Sequence, residues 1–221
     1  EKQVHQQNFT IDNLIGYDLH GKTIGIIGVG IIGSVLVKIM HGFGCKILCC
    51  DLKENDLLKE RFDVEYTDKE TLCAAADIIS IHTSFTPETK YLINKKLIDL
   101  MKPGTMLINT GRGACVNTVD VIEGLQNGNI GYYGADVYEN ERGIFFCDLS
   151  GKEIKDDLLK KLLSMPNVLI TPHQAFATKQ ALTNIADTTF ENIDCMQRKV
   201  NCKNQLTNIL IEEEISGNGN S

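Results

Sequence analysis

The sequence contains no tryptophan, no block of lysines and arginines, and no C-x-x-C pair among its eight cysteines. A formal charge of -7 without a basic cluster disfavours nucleic acid and anionic membranes as partners. No apolar run approaches the ~20 residues that a membrane-spanning helix needs. Because no leader peptide precedes the cysteines and none has metal-site spacing, we expect reduced thiols, no bound metal and a cytoplasmic protein.

Short apolar runs alternate with helical patterns along most of the chain, which is typical of strand-helix-strand units. Most runs lack polar alternation, as expected when helices cover both faces of a parallel sheet. The predicted strands are Ile24–Gly28, Lys46–Asp51, Val64–Tyr66, Ile78–His82, Thr105–Asn109, Gly131–Val137 and Val168–Ile170, and the predicted helices are Ile32–Phe43, Thr118–Gly128 and Ala177 to about Met196. The expected fold class is α/β, a doubly wound parallel sheet of the Rossmann type, with ligands outside the carboxyl ends of the strands.

A glycine-rich turn follows the first predicted strand and opens the first predicted helix. Gly28, Gly30 and Gly33 form the pattern G-x-G-x-x-G, which allows a tight turn, close approach to a pyrophosphate and close helix packing. Asp51 lies 18 residues beyond Gly33, where an acid can bind both ribose hydroxyls and repel a 2′-phosphate. The pattern predicts NAD as cofactor, whereas the alternative is that the glycines serve only helix packing and Asp51 only a turn.

Polar side chains follow three of the later strands. Arg112 follows one, Glu139 and Glu141 follow the next, and His173 follows the last. If the strands are parallel, these groups lie at one edge of the sheet beside the nicotinamide. A guanidinium can hold a carboxylate, an imidazole can donate a proton to a carbonyl, and a nearby carboxylate favours the protonated imidazole. The set predicts a site that reduces an α-keto acid.

Each of these residues also has an ordinary interpretation. Arg112 could be a solvated loop residue, Glu141 lies in a charged stretch, and a lone histidine after a strand, such as His173, more often caps a turn than catalyses. Only their shared position at successive strand ends favours catalysis. Among the other histidines, His82 ends a strand and is a candidate for the lining of the cofactor cleft.

Four stretches, GKTIGIIGVGIIGSVL, INTGRGA, GADVYENERGIFF and NVLITPHQAF, together resemble the D-isomer-specific 2-hydroxyacid dehydrogenases. The third and fourth are most similar to the NAD-dependent D-lactate dehydrogenase branch, and the similarity extends from about Asn8 to Leu206. The resemblance implies that Arg112 and Glu141 are catalytic, that His173 donates the proton, and that Phe176 helps to wall the substrate pocket. It implies cofactor contacts from Gly28, Gly30, Ile31, Ile32, Gly33, Asp51, Thr83, Ser84, Thr110, Gly111, Arg112 and Asp136.

Two positions depart from the family's usual pattern. Thr83 and Ser84 stand where the family often has an apolar residue followed by proline, and Gly111 stands where serine is common. Both departures could loosen the fit around the cofactor. Neither removes a charged group, so the expected activity class is unchanged.

The resemblance also implies a domain organisation. Members of this family carry on the order of a hundred further residues before this point, which form most of a second domain that closes over the substrate. We therefore expect residues 1–198 to be a dinucleotide-binding domain with a C-terminal return helix, 199–212 a remnant of the substrate domain, and 213–221 a disordered tail. Such a chain should bind NADH and turn over almost nothing alone.

The expected reaction is the reversible reduction of pyruvate to D-lactate with NADH, carried out by a homodimer. Two alternatives stay open. One is a dehydrogenase for another D-2-hydroxy acid, with a branched or aromatic side chain, or for phosphoglycerate. The other is an NAD-sensing dimeric module of the corepressor type, because relatives of that kind can keep the arginine, the glutamate and the histidine.

Overall fold

The computed structural model describes residues 2–11 and 15–205, and its centre is a seven-stranded sheet in which all paired strands are parallel. The strands are β1 (Thr23–Ile27), β2 (Lys46–Cys50), β3 (Val64–Tyr66), β4 (Ile78–Ile81), β5 (Thr105–Asn109), β6 (Ile130–Ala135) and β7 (Val168–Ile170). Their order across the sheet is β3-β2-β1-β4-β5-β6-β7. The winding direction reverses between β1 and β4, so a crevice for a ligand opens beyond the ends of these two strands.

The described helices are α1 (Lys2–His5), α2 (Ile31–Gly42), α3 (Asp56–Phe62), α4 (Lys69–Ala75), α5 (Lys95–Ile98), α6 (Thr118–Asn127), α7 (Asp157–Leu163) and α8 (Lys179–Arg198), with a short 3-10 turn at Gly113–Cys115. Polar side chains cap several of them. Asn117 accepts bonds from the backbone N–H groups of Val119 and Asp120 at the start of α6, for example. Two clusters of buried apolar side chains fill the space between the helices and the sheet.

The predicted fold class is confirmed: the chain forms a doubly wound, all-parallel α/β sheet of the Rossmann type. Four predicted strands extended too far at their carboxyl ends, because Gly28, Asp51, His82 and the residues after Ala135 turn out of the sheet. The last helix begins at Lys179 rather than Ala177, since the Thr178 side chain accepts a bond from the Ala181 N–H and caps it there. Four helices were not predicted, because each has only four to seven residues and therefore shows little periodicity: α3, α4, α5 and α7.

The chain divides into two compact units, residues 1–173 and residues 174–221. The first contains the whole sheet, whereas the described part of the second is α8 and the residues beside it, to 205. Within the described ranges, no helix is both long and apolar enough to cross a bilayer. The predicted boundary at 198 stays a prediction, while residues 206–212 of the predicted remnant and the whole predicted tail lie outside the described residues.

Candidate active site

The glycine turn lies where the ends of β1, β2 and β4 meet. Gly28 has a left-handed backbone with φ +90°, and a Cβ there would come within 2.8 Å of the His82 carbonyl carbon. The Gly28 N–H donates to the Cys50 carbonyl at 2.9 Å, which fixes the turn against the end of β2. Only glycine fits both the backbone angle and this close approach.

The first turn of α2 has the features of a phosphate site. Gly30 caps the helix without a side-chain hydrogen bond, so the helix N-terminus presents backbone N–H groups. A Cβ on Gly30 would meet no atom within 4 Å, which leaves open space directly over this backbone. Ile31 and Ile32 are 90% and 68% exposed beside it. These residues fit the pyrophosphate of a dinucleotide.

Asp51 follows β2 and faces the glycine turn. Its Oδ2 accepts a bond of 2.5 Å from the Val29 N–H, and its Oδ1 accepts a weak bond of 3.4 Å from the Lys53 N–H. The side chain is exposed, so its remaining lone pairs face solvent and can accept ribose hydroxyls. Asp51 therefore stiffens the turn and fits an NAD ribose.

Polar groups line the crevice between β4 and β5. The His82 ring contacts the Ser80 hydroxyl at 2.9 Å through Nε2 and the Thr110 hydroxyl at 3.5 Å through Nδ1. Burial lowers the pKa of His82, so this imidazole is neutral at pH 7. Thr83 donates a long bond of 3.5 Å to the Cys115 thiol, and the Ser84 carbonyl accepts from Thr89 at 2.8 Å.

The loop after β5 carries Arg112. The fully buried Asn109 shapes this loop, because its side chain accepts from the Gly111 N–H and donates to the Arg112 carbonyl, both at 3.1 Å. The guanidinium is exposed, and its Nη1 donates to the Gly111 carbonyl at 2.9 Å. The space around Gly113 is filled by the backbone of Tyr138 and Glu139, so the Arg112 loop packs against the loop after β6.

The loops after β6 and β7 bring Glu141 and His173 together. Glu141 Oε1 lies 2.9 Å from His173 Nδ1, and its Oε2 accepts from the Tyr138 N–H at 3.1 Å. This contact is partly shielded from solvent, because the two side chains are 30% and 31% exposed. Because a carboxylate only accepts hydrogen bonds, Nδ1 carries a proton and Nε2 is the nitrogen left for a substrate. Where the same loops leave β6 and β7, Asp136 accepts a hydrogen bond of 2.5 Å from the Thr171 hydroxyl.

Two residues of this region, Phe146 and Asn109, were not predicted. Phe146 lies with its ring centroid 5.8 Å from the His173 ring, and both residues have left-handed backbones, with φ of 63° and 56°. Of these two, only Phe146 gave a signal in the sequence, as part of the aromatic doublet Phe145-Phe146. Glu139 was predicted to lie with Glu141 at this edge of the sheet, but it accepts from the Tyr91 hydroxyl and the Thr118 N–H and therefore ties loops together.

The predicted catalytic set is thus assembled in part. Glu141 and His173 are in contact, and Arg112 is on the adjacent loop with its guanidinium bonded to its own backbone. The predicted cofactor residues surround the ends of β1, β2, β4, β5 and β6. Phe176 belongs to the second compact unit, where it is 44% exposed and its carbonyl accepts from the Thr178 N–H at 2.7 Å.

Comparison with known proteins identifies similar sequences over most of the chain. Residues 1–175 match the profile described as "D-isomer specific 2-hydroxyacid dehydrogenase, NAD binding domain". D-lactate dehydrogenase of Escherichia coli is 42% identical over 205 residues, which are 93% of this chain and 62% of that protein. The 2-hydroxyacid dehydrogenase homolog 1 of Schizosaccharomyces pombe is 42% identical, with 86% of this chain and 58% of that protein covered. The chain spans about three fifths of the length of these relatives.

Solved structures that resemble this chain are enzymes with related names. The pyruvate reductase of Chlamydomonas reinhardtii superposes with a TM-score of 0.86 at 37% identity, covering 92% of this chain and 62% of that one. The D-lactate dehydrogenase of Aquifex aeolicus, solved with NAD and lactic acid, superposes with a TM-score of 0.80 at 34% identity, covering 90% and 60%.

Proposed function

Since the chain belongs to the D-isomer-specific 2-hydroxyacid dehydrogenases and contains their NAD-binding domain, we propose that the protein reduces pyruvate to D-lactate with NADH. The contact of 2.9 Å between Glu141 and His173 carries the proposal. It supplies an oriented proton donor at the same edge of the sheet as the glycine turn, where a doubly wound fold binds its ligands. Relatives named D-lactate dehydrogenase and pyruvate reductase support this choice of substrate.

Each of the three charged residues has a distinct task in this reaction. His173 gives the proton on Nε2 to the ketone oxygen, while Glu141 holds Nδ1 and stabilises the positive imidazolium. Arg112 pairs with the substrate carboxylate and polarises the ketone, since only one of its N–H groups is bonded to the Gly111 carbonyl and the others are left for the substrate. NADH, when bound, supplies the hydride. The glycine turn and Asp51 hold its pyrophosphate and ribose.

Replacement of His173 tests the proposal in protein made from the complete coding sequence. His173→Gln should lower kcat for pyruvate by about 10²- to 10⁴-fold, because glutamine cannot deliver the proton. NADH affinity, measured by the fluorescence of the bound nucleotide, should stay within about twofold. His41→Gln, at an exposed position on the last turn of α2, is the matched control. Near-normal turnover in His173→Gln would remove this histidine from the mechanism.

The side chain of the substrate needs a separate measurement. Several relatives are named only as 2-hydroxyacid dehydrogenase homologs, names that specify no side chain, so the second candidate is the reduction of another 2-keto acid. We expect kcat/KM to be highest for pyruvate in a panel of keto acids with longer, branched and aromatic side chains. A branched or aromatic keto acid that exceeded pyruvate would favour the second candidate. A homodimer and a cytoplasmic location stay predictions.

A further inference from the structure

The chain reverses direction at the end of α8, within the second compact unit. Lys199 has a left-handed backbone with φ 53° and ends the helix, and its N–H points to the carbonyls of Cys195 and Met196. The Val200 N–H then donates to the Cys195 carbonyl at 3.0 Å. This C-terminal cap turns the following residues back along the last turns of the helix.

Side-chain bonds hold the returning segment against α8. The Lys203 ammonium pairs with Glu191 at 2.8 Å, and the Asn204 amide donates to Asn192 Oδ1 at 3.0 Å. The Cys202 thiol donates to the same Asn192 oxygen at 2.9 Å. Residues 202–204 therefore lie beside residues 191 and 192, which they contact through three side-chain interactions.

The reversal brings two thiols near each other. The Cys202 thiol donates to Asn192 Oδ1, about one turn of α8 before Cys195, and the Val200 N–H donates to the Cys195 carbonyl, so the two thiols lie close together. Both cysteines are partly exposed, so a small reagent can reach them. Two thiols of the first unit differ, since Cys49 in β2 and Cys73 in α4 are buried and burial raises the pKa of each to about 12. Cys147 is exposed and serves as a comparison for an accessible thiol in the first unit.

We propose that Cys195 and Cys202 form a reversible intramolecular disulfide when the protein meets a low-molecular-weight disulfide such as oxidised glutathione. One cysteine, as thiolate, attacks the glutathione disulfide and releases one reduced glutathione. The second cysteine, as thiolate, attacks the mixed disulfide and releases the other. Two thiols are oxidised, one disulfide is reduced, and the two thiol protons end on the two glutathione molecules. The new bond fastens residues 200–205 to α8.

The groups around Cys195 and Cys202 affect the rate of this disulfide exchange. Desolvation, the neighbouring Cys202 thiol and the carboxylates of Glu191 and Asp194 raise the pKa of the Cys195 thiol. Because the thiolate is the attacking form, we expect slow attack by Cys195 at neutral pH.

Tryptic digestion reads out the bond directly, because cleavage after Arg198 and Lys199 separates the two cysteines. The full chain is equilibrated in mixtures of reduced and oxidised glutathione and quenched with an alkylating reagent. It is then digested with trypsin, and the peptide masses are measured by mass spectrometry. We expect peptide Gln180–Arg198 joined to peptide Val200–Lys203. Because tethered thiols act at an effective concentration of about millimolar or more, half oxidation should need at least about tenfold less oxidised glutathione than half modification of Cys147.

Serine variants provide controls, although the joined peptides in the unsubstituted chain already test the proposal. Cys195→Ser and Cys202→Ser should each abolish the joined peptides and leave the remaining thiol as a glutathione adduct, whereas Cys147→Ser should change nothing at the pair. Separate glutathione adducts on Cys195 and Cys202 in the unsubstituted chain would overturn the proposal. So would joined peptides that come only from disulfide-linked dimers. The outcome does not depend on the proposed dehydrogenase activity.

Discussion

Two carboxylates that lie two positions apart have different partners. Glu139 accepts from the Tyr91 hydroxyl at 2.8 Å and from the Thr118 N–H at 3.2 Å, and the first of these bonds raises the pKa of Tyr91. Glu141 instead contacts His173 at 2.9 Å. In the sequence both residues are part of one charged stretch, ENER, and nothing in that pattern assigns their partners.

Glutamine at the two positions should therefore have different effects. Glu141→Gln removes the charge that stabilises the imidazolium, so kcat for keto-acid reduction should fall by about 10²-fold. Glu139→Gln is the matched control, because it weakens bonds between loops and should cost about 1 kcal/mol of unfolding free energy with kcat within about twofold. Steady-state kinetics and denaturant unfolding of both variants separate the two roles. Equal losses of kcat would contradict the assignment.

Phe146 is the residue beside His173 that the sequence analysis did not predict. Its ring is 72% exposed yet lies 5.8 Å from the imidazole, and its left-handed backbone costs about 1–3 kcal/mol. Such a conformation in a non-glycine residue is usually maintained at functional sites. We therefore expect the aromatic ring to help position His173.

Replacement of the ring by an aliphatic side chain tests this role. Phe146→Leu should lower kcat by about threefold to tenfold, which corresponds to the interaction energy of one aromatic pair. Phe146→Tyr keeps the ring and should retain most of the activity. The His173 ring protons should shift in the NMR spectrum of the leucine variant, since the ring current is lost. If these resonances did not move, Phe146 would have no part in holding the imidazole.

Strands and long helices were predictable because each leaves a local pattern. The continuous apolar runs of β1 and β4 identified buried parallel strands, and the apolar spacing along α2 identified a helix. The contact of Phe146 with His173 was not predictable, because it joins loops that are far apart in the sequence. The bonds of Asn109 are local, to Gly111 and Arg112, but the apolar run that predicted β5 does not show that its last side chain turns back to the loop. The glycine turn was predictable since its spacing reflects a backbone requirement.

Two glycines of the turn between β1 and α2 should respond differently to alanine. A Cβ on Gly33 would collide with the Gly28 carbonyl, whereas a Cβ on Gly30 would meet no protein atom. Gly30→Ala should therefore leave the unfolding temperature nearly unchanged but weaken NADH binding at least about tenfold, because the methyl group occupies the approach to the pyrophosphate. Gly33→Ala should lower both the unfolding temperature and the affinity for NADH. NADH titration and thermal unfolding provide the comparison, and normal NADH affinity in Gly30→Ala would place the pyrophosphate elsewhere.

Several aspartates stabilise the first unit through contacts between distant segments. Asp77 accepts from the Thr23 N–H and from the Lys102 ammonium, both at 2.9 Å, and these bonds outweigh its desolvation and lower its pKa. Asp156 caps α7 and accepts from the Tyr138 hydroxyl, and its pKa is lowered as well. Carboxyls with depressed folded pKa values stabilise the protein above an unfolded pKa of about 3.9, and this stabilisation is lost as the pH falls further.

His82 should make the stability of the protein fall at a higher pH than these aspartates do. Burial lowers its pKa in the folded state, so the unfolded chain takes up this proton first as the pH falls. The contribution of His82 to the free energy of unfolding is complete above its pKa in the unfolded chain, about 6.5. This contribution is lost as the pH falls through the lower pKa of the folded protein. The ring bonds to Ser80 and Thr110, which carry no charge that could offset this effect.

The prediction is tested by thermal unfolding between pH 7 and pH 5 without nucleotide, a range in which the aspartates stay ionised. His82→Gln keeps a polar group beside Ser80 but cannot titrate, so its unfolding temperature should fall less steeply with pH than that of the unsubstituted protein. His41→Gln, at an exposed position, should retain the original slope. Equal slopes in all three proteins would mean that His82 gains its proton equally in the folded and unfolded chains, and that its burial carries no electrostatic cost.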